Sequence, residues 1–423
     1  MGVDEVMNNV ADAIKYWIFL QYVLGQGSRK ILRILDKYET PENFYNAGPE
    51  AISKTDLLSK AEFERYSKCK LSDCEKIINY CYNKGYQIIT PDDSRYPIRL
   101  KRIPNPPAAL YVEGEFPNFD DEVAIAMVGT RQCSENGKRI ARELSQRLTY
   151  SGCMIVSGGA KGIDSSCHIG AIKAEGKTVA VLGCGLDYPY LPQNEALRRD
   201  IVKNGCLISE YTPKRAASKY TFPIRNRLIS GLCLGTIVVE AIHGSGSLIT
   251  VDHALEQGRD IFVIPGSISD PLYAGSNRLI RDGARAIVSP EDILEEYKND
   301  YPHRINFSGC EITITDDEDV LNPKDDIKPK PKRKSLLKKS KSVNKEKTEE
   351  AIDISKLKLN YELLSDNAKQ LFAAFLDVDT DNFDLAVDSS GLESTQAIVA
   401  LTELEILGFL TAQPGGRYSA NKF

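Results

Sequence analysis

The chain has 423 residues, 42% of them apolar, and carries 54 basic against 59 acidic side chains for a formal net charge of −5. That length accommodates two or three domains, and the charge balance excludes a histone-like binder coated in positive charge while leaving room for a local basic groove. The longest N-terminal apolar stretch, residues 13–24, is too short to span a bilayer and follows Asp4, Glu5 and Asp12, so a cytoplasmic protein with no membrane segment is expected.

Residues 1–95 read as a small helical unit. Two amphipathic segments break at Gly25-Gln26-Gly27, and helical spacing resumes over 51–60 and 72–84. A glycine hairpin between helices can hold a phosphate backbone, and Arg29, Lys30 and Arg33 follow it directly; packing on the main domain or on a partner is the plainer reading. Residues 96–119 form a proline-rich, extended arm with an edge strand expected at 109–112.

From 127 to 286 one event recurs five times: a β-branched run ends in a glycine-rich turn that leads into a helical pattern. The turns are AIAMVGTRQ, MIVSGGAKGID, VAVLGCGLDYPY, VVEAIHGSGSLIT and IFVIPGSISD. Strands this uniformly apolar are buried on both faces, which predicts an α/β domain over 96–298 with a parallel sheet between helices. All the glycine turns then share the carboxyl edge of the sheet, where such folds bind ligands.

Residues 299–357 read as a disordered charged linker, with an acidic cluster at Asp316–Asp319 and a lysine tract over 324–347. Beyond it, residues 358–423 suggest helices at 366–375, 382–388 and 394–407 and a terminal hairpin with a Pro-Gly-Gly turn, the pattern of a winged helix. Its third helix carries Glu393, Glu403 and Glu405 and no lysine or arginine, so this module is expected to pack against protein rather than read a DNA groove.

The ten cysteines contain no C-x-x-C pair and lie mostly inside apolar runs, as buried reduced thiols do. Cys69, Cys74, Cys81 and Cys133 match no structural zinc spacing, and the four histidines fit no metal or catalytic order. No metal is expected. Nor is a dinucleotide: Gly129-Thr130-Arg131 has one glycine, and Gly183-Cys184-Gly185 is followed by Tyr188 where a third glycine belongs. No G-x-x-x-x-G-K-[ST] run is present either, so no cofactor is expected.

What the edge does offer is small residues, amides and cations. Gly129-Thr130-Arg131, Ser157-Gly158-Gly159 and Ser245-Gly246-Ser247 could each present N–H groups and a hydroxyl to an anion, and Arg131, Lys161, Lys219, Arg225 and Arg227 supply positive charge. The segment 219–227, KYTFPIRNR, interleaves aromatics with cations ahead of a helix. Single-stranded nucleic acid is held in this way, cations tracking phosphates while a ring stacks on a base. The alternative makes Phe222 a core residue and the arginines surface partners of Glu210 or Glu240.

GTR at 129–131, SGGAKGID at 157–164, SEY at 209–211, FPIRNRLISG at 222–231, GSLIT at 246–250, PGS at 265–267 and GSNRLIRDGA at 275–284 occur in an order and spacing that resemble the DNA-processing protein A family, DprA or Smf. The resemblance implies an extended Rossmann-like domain that binds single-stranded DNA and dimerises, flanked by a helical domain of sterile-alpha-motif or helix-hairpin-helix type and a winged helix. It also implies protection of incoming strands and loading of RecA recombinase in natural transformation, with no catalytic step. The family's DNA-binding arginine falls on Arg131, its lysine on Lys219, its base-stacking phenylalanine on Phe222 and its polar pair on Arg225 and Asn226. Two departures stand out: Gly244 replaces a common cation before SGS, and Glu195 replaces another after the third strand.

The rival reading is a nucleotide-processing enzyme of a related fold that cleaves a glycosidic bond, for which Asp164, Glu240 and Asp252 are the candidate carboxylates. Asp164 and Asp252 also read as first-turn helix acids. A structural adaptor acting through the winged helix is a third possibility.

Overall fold

The computed structural model describes residues 3–311, 364–377, 383–392, 394–406, 409–413 and 417–420. The acidic cluster, the lysine tract, the Pro-Gly-Gly turn and Glu393 lie outside the described residues. The chain divides into two compact units, Met1–Ile327 and Lys328–Phe423.

The first unit opens with six helices, α1 (Val3–Leu24), α2 (Lys30–Tyr38), α3 (Pro41–Asn46), α4 (Gly48–Ser53), α5 (Lys60–Lys68) and α6 (Leu71–Lys84). Phe19, Phe44 and Tyr66 meet edge to face or tilted at their centre, and Ala108 and Ala109 of the proline-rich arm join the same cluster. A short helix, α7 (Ile98–Lys101), interrupts that arm.

Nine strands form one sheet: β1 (Gln87–Ile89), β2 (Leu110–Gly114), β3 (Val123–Val128), β4 (Cys153–Ser157), β5 (Thr178–Leu182), β6 (Gly205–Ser209), β7 (Gly235–Val238), β8 (Asp260–Val263) and β9 (Arg285–Ala286). Their order is β1-β2-β6-β5-β4-β3-β7-β8-β9. From β6 to β9 every pair is parallel; β1–β2 and β2–β6 are antiparallel. The strand expected at 109–112 is therefore not at the edge, because Gln87–Ile89 pairs along its outer side.

The crossover helices are α8 (Glu135–Tyr150), α9 (Ile163–Lys173), α10 (Glu195–Lys203), α11 (Thr221–Gly231), α12 (Leu248–Glu256), α13 (Ala274–Arg281) and α14 (Glu291–Tyr297). Alternate residues of each central strand serve opposite faces. Ala124, Ala126 and Val128 of β3 pack with Leu228 and Ile229 of α11 and Val251 of α12, whereas Val123, Ile125 and Met127 pack with Leu144 and Leu148 of α8 and Cys167 of α9. Both faces being covered explains the continuous apolar runs.

The strand order reverses direction between β3 and β7. β3 to β6 run outward on one side, and the chain then returns to place β7 on the other side of β3. That is the switch point at which doubly wound sheets open a crevice beyond the carboxyl ends of their strands.

Residues 299–311, which composition places at the head of the linker, pack against the end of α8 (Glu135–Tyr150) and the turn before β3. The Asn306 amide donates to the Ser151 carbonyl at 3.1 Å, Arg304 pairs with Asp121, and Cys310 is buried.

The second unit contains α15 (Asp366–Asp377), α16 (Phe383–Ser390), α17 (Ser394–Ile406) and an antiparallel pair, β10 (Leu410–Gln413) with β11 (Arg417–Ala420). Leu371, Phe372, Phe375, Leu404 and Phe409 make its core. Glu403 is engaged within this unit, where its carboxylate accepts from the Ser365 amide at 2.8 Å and hydroxyl at 2.6 Å, just ahead of α15.

Candidate nucleic-acid interface

A cavity of about 740 Å³ opens at the switch point. Its walls are the turn after β3 (Gly129, Thr130, Arg131, Gln132), the start of α11 with its approach (Lys219, Phe222, Pro223, Arg225, Asn226), the loop after β7 (Ile242, Gly244, Ser245, Gly246, Ser247) and the first turn of α12. Chain segments far apart in sequence meet here because β3 and β7 are neighbours in the sheet.

Arg131 and Phe222 touch. The Arg131 guanidinium carbon lies 5.1 Å from the Phe222 ring centroid and that of Arg225 lies 6.0 Å away, within the range of cation–π attraction. Arg131 and Lys219 are exposed or partly so, as is Phe222. The ring rests on Gly183 at the end of β5, where a Cβ would come within 2.6 Å of Phe222 Cδ1. Tyr190 leans on it from the side at 5.0 Å between centroids. The Lys219 ammonium lies 5.1 Å from the ring of Tyr220, itself 68% exposed.

Arg225 has a different setting. It is buried at 4% exposure and donates through Nη1 to the carbonyls of Gly158, at 2.8 Å, and Val181. Burial lowers its pKa and the nearby Asp164 opposes that shift. Asp164 is buried too; its Oδ2 accepts from the amides of Gly158 at 3.2 Å and Ala160 at 3.4 Å. Burial raises its pKa, while Arg225 and the two amides pull it down. Arg225 is thus a buried cation set beside Asp164, the exposed cations of the wall are Arg131 and Lys219, and the Asn226 side-chain amide donates to the Gly246 carbonyl at 3.3 Å.

Five of the anticipated residues do not line the cavity. Ser157 is fully buried and donates to the Met127 carbonyl at 2.6 Å. Gly158 lets Arg225 and Asp164 approach, since a Cβ there would stand 2.7 Å from atoms of both. Gly159 supplies a left-handed turn at φ 65°, and Lys161 is exposed beside it. Arg227 lies 1% exposed on another side of α11 and pairs with Glu210 at 2.6 Å. The amides of Thr130 and Gly158 are already spent on the Glu240 carbonyl and Asp164. In the 245–247 turn the Ser245 amide likewise donates to the Ile242 carbonyl at 3.1 Å and the Ser247 amide to the Ser245 hydroxyl at 3.4 Å, while the hydroxyls of Ser245 and Ser247 lie 2.8 Å apart.

The model of the family described as DNA recombination-mediator protein A matches residues 87–298, half of the chain. The chain belongs to that family. DNA processing protein DprA of Bacillus subtilis is 42% identical over 213 residues, covering 50% of this chain and 72% of the relative. Protein Smf of a Synechocystis strain is 36% identical over 284 residues, covering 66% of this chain and 71% of the relative. The X-ray structure of DprA from Streptococcus pneumoniae superposes with a TM-score of 0.58 at 35% identity, covering 67% of this chain and 97% of that one.

The two residues expected to depart from the family pattern differ in setting. Gly244 sits at φ 73° with open space around its Cβ position, so strain rather than crowding disfavours a longer side chain. Glu195 begins α10, pairs with Arg199 at 3.8 Å and lines a separate hollow with Arg198 and Lys203. It is not among the residues lining the switch-point cavity. Gln132 and Ile242 are wall residues outside the family motifs; only their positions after β3 and β7 could have indicated them.

Proposed function

We propose that this family member binds single-stranded DNA in the switch-point cavity without transforming it, and delivers the strand to RecA recombinase during transformation or homologous recombination, acting as a homodimer. The observation that carries the binding step is the convergence of Arg131, Lys219 and Phe222 on one cavity, with the Arg131 guanidinium laid against the ring. Exposed cations would track phosphates while the partly exposed ring takes a base. B. subtilis and S. pneumoniae relatives named as DNA processing proteins support the same direction.

The carboxylates support a binding rather than a catalytic site. Glu240 accepts from the Ser134 amide and hydroxyl ahead of α8, and Asp252 is exposed on α12. Asp164 alone among these three reaches the cavity wall, held by two amides and Arg225.

Fluorescence anisotropy of the full chain with labelled single- and double-stranded oligomers tests the proposal. Preference for the single strand, with the strand recovered intact, is expected; release of free base from nucleotides would establish the glycosidase instead. RecA filament assembly on coated single strands, faster with the chain present than without it, checks the mediator step.

A further inference from the structure

The strand path continues beyond the cavity wall. Tyr190 is not a wall residue, yet its ring lies 5.0 Å from that of Phe222 with a 43° tilt between planes. Both rings are partly exposed.

The loop that carries Tyr190 is held on every side. Asp187 at its start accepts from the hydroxyls of Tyr80 at 3.0 Å and Tyr86 at 2.9 Å. Arg198 donates to the Tyr188 carbonyl at 3.2 Å. Asn194 at its end donates to the Gly159 carbonyl at 3.2 Å and the Ser165 hydroxyl at 3.0 Å. Between these anchors Leu191 adopts φ 53°, ψ 75°, immediately before Pro192, where a left-handed residue is doubly disfavoured. The Tyr190 amide closes a tight turn on the Tyr188 carbonyl at 2.7 Å. A leucine kept in that conformation by surrounding contacts marks a segment whose shape is imposed, and the imposed shape sets Tyr190 against Phe222.

We infer that Tyr190 is a second base-stacking residue, taking the nucleobase next to the one on Phe222 in a bound single strand. The inference rests on the proposed DNA-binding role of the cavity. A path of unpaired bases is read by successive aromatic planes without sequence preference, and the tilt between these two rings suits bases splayed apart as the strand leaves the crevice. Tyr220, though more exposed, neighbours Lys219 rather than a second ring.

The test uses the full chain and a thymidine oligomer. The single native tryptophan, Trp17, is 3% exposed among the N-terminal helices, so a Tyr190→Trp variant adds one reporter over a constant background. Its emission should be quenched as the oligomer is titrated, in step with anisotropy. Tyr190→Ala should weaken binding by about tenfold, the loss of one stacked base, and Tyr190→Phe should bind like the parent. If anisotropy reports binding while the new tryptophan emission stays unchanged and Tyr190→Ala keeps parental affinity, the inference is overturned and the cavity assignment survives. If the parent itself fails to bind, both fall.

Discussion

Gly183 has no side chain because the Phe222 ring occupies the space one would fill. Gly183→Ala is therefore expected to push the ring off its seat and weaken single-strand binding by about tenfold, with thermal stability little changed, as anisotropy and a melting curve of the same sample would show. His168 makes a different point about single residues. It is fully buried, its Nδ1 meets the Thr178 hydroxyl at 2.8 Å, and that hydroxyl donates to the Ile155 carbonyl at 2.9 Å. Burial and then the Arg225 charge push its pKa down to about 3. The unfolded chain takes up this proton below about pH 6.5 and the folded chain does not, so the contribution is complete above about pH 6.5 and is lost as pH falls toward 3, by up to about 1.4 kcal/mol per pH unit. Denaturant unfolding between pH 7 and pH 4.5 should show a steeper acid loss for the parent than for His168→Asn; identical slopes would rule out this role for His168.

Helix α11 serves two ends within one turn: Phe222 and Asn226 face the cavity while Arg227 turns the other way, into the buried pair with Glu210. The Glu210 carboxylate also receives the Gly27 amide, and burial raises its pKa against the pull of Arg227. Gly27 sits at φ 74° with its Cβ position 2.9 Å from Ile224, so the glycine hairpin between α1 and α2 is a seat for α11. Its neighbouring cations are occupied: Arg29 pairs with Glu256 and Lys30 with Glu62. Arg227→Ala should cost about 3 to 5 kcal/mol, the penalty for stranding a buried partner charge, and should loosen the N-terminal helices, which hydrogen exchange would report. FPIRNR was legible as a motif, but its division was not: the sequence puts both arginines near the ligand, and only the helical phase of a helix buried on several sides separates them.

Over the whole molecule, the fold was legible where periodicity speaks and obscure where it does not. β3, β4, β5, β7 and β8 each end in the glycine turns that mark them; β6 ends in Ser-Glu-Tyr and β1 has three residues, so neither carries the signal. The hairpin pairing that moves β2 from the edge is a long-range choice no local pattern encodes. At the site, the exposed cations and the ring were readable from chemistry, whereas the role of Ser157-Gly158-Gly159 in seating Arg225 and Asp164 follows only from burial. With a net charge of −5 the proposed attraction for a polyanion has to be local, since the molecule as a whole repels one. Single-strand binding in this cavity is best tested by the salt dependence of affinity for the full chain and its Arg131→Ala and Lys219→Ala variants. Each substitution should lower affinity and reduce the log–log salt slope by about 0.7, one phosphate contact on a single strand; variants that keep both the affinity and the slope of the parent would contradict it.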